Sequence, residues 1–253
     1  MKLGMPILFE YDTIEENLVL AKKLNLDFLE LNLNFGYCRR EMEEGKLFDL
    51  LEKYNILATL HFYDEADFGS YDEVVEGYIK LFEKYITLGH KYIKLVNVHN
   101  NPGPVVTISG VKNYIYDKEY NEYIIKLIRN LNKIKRICDK YNIELVIENT
   151  NIPTYMRKTY HDLNENGFFF NYDIGHDDNN GYVLLDIIKD EPLKFKEFHF
   201  HDGNHKQDHL SLGEGKMDLK KFKDLALKFD PYILLEVKQK SDLEKSVSYF
   251  KKL

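Results

Sequence analysis

Short apolar runs and longer amphipathic stretches alternate along the whole chain, and this alternation restricts the fold more than any other feature. Strand patterns read from Leu3 to Phe9, Asp27 to Asn34, Leu57 to Tyr63, Tyr92 to His99, Ile143 to Glu148, Phe168 to Asp173, Lys196 to His201 and Tyr232 to Val237. Helical patterns fill Thr13 to Leu24, Met42 to Tyr54, Tyr71 to Leu88, Lys118 to Tyr141, Tyr182 to Lys189, Leu219 to Phe229 and Ser241 to Leu253. The first helix opens on a capping box, Thr13 with Glu16 three residues on, and places Ile14, Leu18 and Ala21 on one face. Alternation of this kind calls for parallel strands joined by right-handed crossovers. About eight strands in 253 residues are what one closed (β/α)8 barrel needs, so residues 1–253 are expected to form a single barrel domain. An open doubly wound sheet is the rival. It ordinarily carries a glycine-rich phosphate turn after its first strand, and Phe9-Glu10-Tyr11-Asp12 is no such turn.

Composition narrows the partners. Lysine and arginine total 35 against 42 aspartate and glutamate, a formal net charge of -7, which disfavours nonspecific polyanion binding. Arg39-Arg40 is the one basic spot in the loops after the first two strands, and such a pair is commonly a solvated helix start. Tyr, Asn and Lys crowd the stretch from Asp117 to Arg136, but Ile124, Leu127, Ile128, Leu131 and Ile134 space it as an ordinary barrel helix. No apolar run reaches the length of a membrane span, and the N-terminal MKLGMPILFEYD turns acidic without a cleavage site, so neither a membrane nor a secretory signal is expected. Cys38 and Cys138 form no CxxC pattern, which suits a reducing, cytoplasmic compartment.

Polar residues sit where a barrel keeps its chemistry. Catalytic groups gather at the C-terminal ends of barrel strands, and six successive strands end on His61, His99, Glu148, Asp173, the pair His199 and His201, and Glu236. One strand-end histidine is unremarkable as a satisfied rim residue. Several carboxylates and imidazoles in one mouth would suffer desolvation and like-charge repulsion unless a cation offset them. Imidazole and carboxylate without thiolate suit Zn²⁺, Mn²⁺, Co²⁺ or Fe²⁺, with Mg²⁺ also to be considered.

Glu148-Asn149-Thr150, Asp173-Ile174-Gly175-His176, His199-Phe200-His201-Asp202, Asp208-His209 with Leu212-Gly213-Glu214-Gly215, and Glu236 together resemble the motif series of the xylose isomerase-like TIM barrel superfamily. That group includes sugar isomerases, sugar 3-epimerases, inosose dehydratases and the endonuclease IV class of repair enzymes. The resemblance runs in order over nearly the whole chain. It implies that Glu148, Asp173, His199 and Glu236 hold one shared divalent metal, and leaves open whether His199 or His201 supplies the imidazole. The endonuclease IV pattern implies further ligands: His61 and His99 for a second ion sharing Glu148, and His176, Asp208 and His209 for a third. Here Asp208 and His209 are adjacent, where that pattern has one residue between them.

Two chemistries follow from the resemblance. A metal-dependent sugar or sugar-phosphate isomerase or epimerase would use Glu148 and Glu236 to move a proton beside a carbonyl, through an enediolate, with His176 on a substrate hydroxyl. Glu30 would line the polyol side or belong to a polar cluster on the barrel floor, and Lys238 would bind a substrate oxygen or phosphate or remain a solvated rim lysine. Lys206 and Gln207 stand where several 3-epimerases place an arginine. The alternative is an endonuclease IV-type hydrolase cutting DNA at abasic sites with several zinc ions. A non-catalytic barrel that merely binds metal would be expected to lack Glu148 or Glu236, and both are present. The substrate is then a small sugar or sugar phosphate, or DNA under the alternative, and the oligomeric state is left open.

Overall fold

The computed structural model describes residues 1–253. In chain order the elements are β1 (Lys2–Pro6), α1 (Ile14–Lys23), β2 (Phe28–Asn32), α2 (Gly36–Glu43), α3 (Lys46–Tyr54), β3 (Leu57–His61), α4 (Asp72–Gly89) and β4 (Ile93–His99). Then follow β5 (Val105–Ile108), β6 (Val111–Tyr114), α5 (Ile115–Lys118), α6 (Tyr120–Lys140), β7 (Glu144–Glu148), α7 (Met156–Glu165), β8 (Phe169–Asp173) and α8 (Ile174–Asn179). The chain ends with α9 (Val183–Asp190), β9 (Phe195–Phe200), α10 (Leu219–Ala226), β10 (Tyr232–Leu235) and α11 (Lys240–Phe250). Eight strands close a barrel in the order β1-β10-β9-β8-β7-β4-β3-β2, every neighbouring pair parallel, so the expected (β/α)8 TIM barrel forms.

The local signals act as physical chemistry requires. The Thr13 hydroxyl accepts the Glu16 backbone N–H at 3.3 Å while the Glu16 carboxylate accepts the Thr13 N–H at 3.0 Å, satisfying two amides that the first turn of α1 would otherwise leave bare. Ile14, Leu18 and Ala21 of α1 are fully buried, and in α6 Leu127, Leu131 and Ile134 are buried against the same core. No helix is long and apolar enough to cross a membrane.

Three departures from the sequence reading have simple causes. The stretch from Met42 to Tyr54 is not one helix: α2 begins earlier, and Gly45, at φ 77°, breaks it from α3. The helix α7 is too polar for its three buried apolar positions, Met156, Tyr160 and Leu163, to stand out. Between β4 and α6 lies an unforeseen antiparallel hairpin, β5-β6, turned at Ser109 and Gly110 with φ of 50° and 80°. Two consecutive residues of positive φ make the tight turn that matches strand twist, and the Ser-Gly pair was its signal.

Candidate metal centre

Strand register brings the polar residues together. Asn32 pairs with His61, His61 with Asn97, His99 with Glu148, Glu148 with Asn171, Asn171 with Glu197 and Asp173 with His199. Paired residues in a parallel sheet project to the same face, and these are buried or nearly so, which puts them inside the barrel toward its C-terminal end. Glu236 follows directly on β10, where its N–H still bonds to the Phe200 carbonyl at 2.9 Å and keeps it in the ladder.

Ligand atoms of Glu148, Asp173, His199 and Glu236 lie within 4.8 Å of one another. From Nδ1 of His199 the carboxylate oxygens of Glu236, Glu148 and Asp173 stand at 3.0, 3.5 and 3.8 Å. A tetrahedral cation with ligands at about 2.1 Å separates those ligands by about 3.4 Å, so the spacing fits. The 3.0 Å approach is too poorly angled to be a hydrogen bond, and both ring nitrogens of His199 and Oε2 of Glu236 are buried without a partner. Unpartnered donors and acceptors at this depth are costly unless something binds them. The donor set therefore fits a divalent metal.

A second group adjoins the first. Oε2 of Glu148 lies 3.5 Å from Nε2 of His61 and 3.9 Å from Nε2 of His99, while Oε1 faces His199 and His176. Glu148 thus turns one oxygen to each group. Burial opposes a charge on Glu148, but His199, His176 and His61 around it hold its carboxyl well below the usual range. The third proposed group is arranged differently from the implied one. His201, His209 and Glu236 converge, whereas Asp208 accepts from Nδ1 of His209 at 2.8 Å and orients that ring.

Hydrogen bonding assigns the imidazole tautomers. Nδ1 of His61 meets the Phe62 carbonyl at 2.7 Å and Nδ1 of His176 meets the Asn149 carbonyl at 3.0 Å, so each Nδ1 carries the hydrogen. Nδ1 of His201 instead accepts the His209 backbone N–H at 2.8 Å, so its Nε2–H donates to Asp173 at 3.0 Å. His201 is thereby occupied in holding Asp173, and the geometry favours His199 as the ligand at the central group.

The remaining sequence candidates fall outside this ring. Glu30 is 2% exposed and lies beside Nε2 of His199, on the floor and away from the mouth. Lys238 stands on the rim with its side chain 60% exposed and bonds to Glu236 at 3.0 Å. Sequence reasoning missed Glu197, fully buried below His199, whose carboxyl is pushed well up by burial and by Glu30 nearby. It also missed Asn97 and Asn171, both of which donate to Oε2 of Glu148, and Asn149, which bonds to the backbone of Asp173 on both sides. For three of them the signal was the two-residue period: Glu197 precedes His199 by two, Asn171 precedes Asp173 by two and Asn97 precedes His99 by two, while Asn149 stood in the Glu148-Asn149-Thr150 motif. At the mouth, His99, Thr150, Asn151, His176, Asn179 and Asn180 line a wholly polar cavity of about 350 Å³.

The sequence pattern of the xylose isomerase-like TIM barrel family matches residues 18–253. The chain belongs to that family. Its relatives include the "Uncharacterized protein MJ1614" of Methanocaldococcus jannaschii, 28% identical over 273 aligned positions that take in 100% of this chain and 99% of the relative. Among solved structures, a D-tagatose 3-epimerase-like protein superposes with a TM-score of 0.79 at 19% identity, over 100% of this chain and 96% of the other. The IolI protein, solved with a bound zinc atom, superposes with a TM-score of 0.76 at 17% identity, over 100% and 96%. At such identities the two structures show the shared fold alone.

Proposed function

We propose that the protein is a divalent-metal-dependent isomerase or epimerase of sugars or sugar phosphates, working through an enediolate. The observation that carries this reading is the four-residue group of Glu148, Asp173, His199 and Glu236, flanked at His99 and His176 by a cavity lined with no apolar residue. Polyhydroxylated molecules suit such a wall, since each hydroxyl lost from water needs a new partner. The zinc reported in IolI and the epimerase assignment of the first structural relative are consistent with it.

A bound cation would supply positive charge to the enediolate oxygens and lower the barrier to removing the neighbouring proton. Glu148, Asp173, His199 and Glu236 would hold it. Glu148 and Glu236 each have a second oxygen, held in place by Asn97 and Asn171 in Glu148 and by Lys238 in Glu236, through which either would take or return a proton next to the carbonyl. His176 reaches the mouth cavity with its Nδ1–H committed to Asn149, leaving Nε2 to accept from a substrate hydroxyl. His201 holds the Asp173 carboxylate in place. Lys238, already paired with Glu236, tempers that carboxylate at the rim.

The test is NMR in D₂O with Zn²⁺, Mn²⁺ or Co²⁺ and a panel of ketoses, aldoses and their phosphates. A true substrate should interconvert and take up deuterium beside its carbonyl, and Glu148→Gln should lose both by about a hundredfold or more, the scale of general acid–base catalysis. A fully metal-loaded protein that interconverts no sugar and catalyses no exchange refutes the reading.

One observation favours the second reading, an endonuclease IV-type phosphodiesterase acting on abasic DNA: the two oxygens of Glu148 face two separate ligand groups, as a bridging carboxylate in a multi-metal site does. Against it stand the net charge of -7 and the setting of Arg40, which shares its surface depression with Glu15, Glu41 and Glu44. One ion per chain and no nicking of an abasic duplex eliminate the hydrolase. Two or three ions with salt-sensitive nicking establish it.

A further inference from the structure

His61, His176 and His209 each have Nδ1 fixed by an acceptor at 3.1 Å or less, so only Nε2 is free to bind a cation. His199 is the reverse case. Its Nδ1 faces Glu148, Asp173 and Glu236, and its Nε2 faces away, toward the barrel floor. There the ring meets two acidic side chains: Oε2 of Glu30 at 3.6 Å and Oε2 of Glu197 at 3.9 Å. Both glutamates are buried, and those oxygens have no hydrogen-bond partner, nor does Nε2. Glu30 comes from β2 and Glu197 from β9, strands separated in the barrel by β1 and β10. Two strands that are not neighbours in the sheet thus each place an acceptor beside the same nitrogen.

We propose that Glu30, backed by Glu197, is the positioning group of the metal centre: its carboxylate accepts the Nε2–H of His199 and so commits Nδ1 to the cation. An imidazole whose hydrogen is held on one nitrogen offers its lone pair only at the other, and metal-bound histidines characteristically keep such a partner. The observed 3.6 Å lies beyond hydrogen-bond range. A side-chain torsion change that moves the carboxylate by about 0.7 Å closes it to an ordinary N–H···O length. This role replaces a contact between Glu30 and the substrate polyol, because the His199 ring lies between Glu30 and the central carboxylates. The inference rests on the metal-centre reading above.

The test measures Zn²⁺ affinity by chelator competition and the ring ¹⁵N shifts of His199, assigned by their loss in His199→Asn. In the unaltered, zinc-loaded protein the shifts should report a protonated Nε2 and a metal-bound Nδ1. Glu30→Gln should weaken zinc binding ten- to a hundredfold and shift the Nε2 signal, a change that mere loss of packing would not produce. Should Glu30→Gln fail to fold, Glu197→Gln carries the test through the same two measurements. Unchanged affinity and shifts in a folded variant overturn the inference and leave the metal site standing. A zinc-bound Nε2, or an ion seated between Glu30, Glu197 and His199, overturns it as well. Failure of the unaltered protein to take up zinc overturns both the inference and the metal-centre reading.

Discussion

At the scale of single residues, the proposed ligands depend on neighbours for their placement. Gly175 is the clearest case. A Cβ there would overlap the imidazole ring of His201, which occupies the space that the missing side chain leaves. His201 in turn holds Asp173 through its Nε2–H. Gly175→Ala should therefore displace His201 and weaken metal binding roughly tenfold without removing a ligand, the range found for partners of metal ligands. Chelator competition measures it, and an unchanged affinity in a folded Gly175→Ala protein would show that His201 does not act through Asp173. The cysteines mark the opposite extreme. Both are fully buried, and burial pushes the Cys38 and Cys138 thiols up to about 12, so neither should react with a thiol reagent until the protein unfolds.

At the scale of elements, the stretch between β9 and α10 has little regular structure and is organised by one carboxylate. Asp202, 1% exposed, accepts the backbone N–H groups of Gly203, Gly213, Gly215 and Met217 at 2.8 to 3.2 Å, and its own backbone bridges to Leu210. The loop so pinned carries His209 to Glu236, with Nε2 and Oε1 3.3 Å apart. Asp202→Ala would leave those amides without their acceptor, at a cost of about 3 kcal/mol or more, since bonds to a charged group contribute about 1.5–3 kcal/mol each and are not additive. Chemical denaturation should show that loss, and Asp202→Asn should recover part of it. A loss below about 1 kcal/mol in Asp202→Ala would mean that the loop is held by something else. The Gly-x-Gly of this loop was visible in the sequence as part of a motif. That the aspartate eleven residues earlier gathers its amides was not, because hydrogen bonds between distant loop positions leave no periodic trace.

At the scale of the whole molecule, the metal-free barrel keeps its carboxylates in balance by protonating imidazoles. Burial opposes charge on His61, His176 and His209, but neighbouring carboxylates outweigh it and lift the rings to about 10, about 10 and about 9. An unfolded chain would titrate them near 6.5. The stabilisation from these pairs is therefore complete below about pH 6.5 and is lost as pH rises through 9 to 10. The metal-stripped protein should melt at progressively lower temperature between pH 7 and 10. A cation at the central group would balance the same carboxylates in place of those protons, so metal affinity should rise as the rings lose them over that window. Metal at a thousandfold excess over Kd should restore about 4 kcal/mol. Thermal melts with and without chelator from pH 6 to 10 check this, and a melting temperature that climbs with pH in chelator would contradict it.

The sequence by itself determined the barrel. Its evidence was local: apolar periods, a capping box at Thr13 and the absence of a glycine-rich first turn are written within a few residues of one another, and each acts on its own segment. It also determined which strand ends carry His61, His99, Glu148, Asp173, His199 and Glu236, because strand period and strand end are both one-dimensional facts. Only the tertiary structure engaged His201 with Asp173 while facing His199 to the central carboxylates, set Glu30 beside the other ring nitrogen of His199, and paired His209 with His201 and Glu236 while turning Asp208 to orient it. Inward neighbours two residues apart share a face, so the sequence cannot rank them. The ranking comes from depth in the barrel and from which ring nitrogen a distant backbone group has already engaged, and those exist only once eight strands have closed.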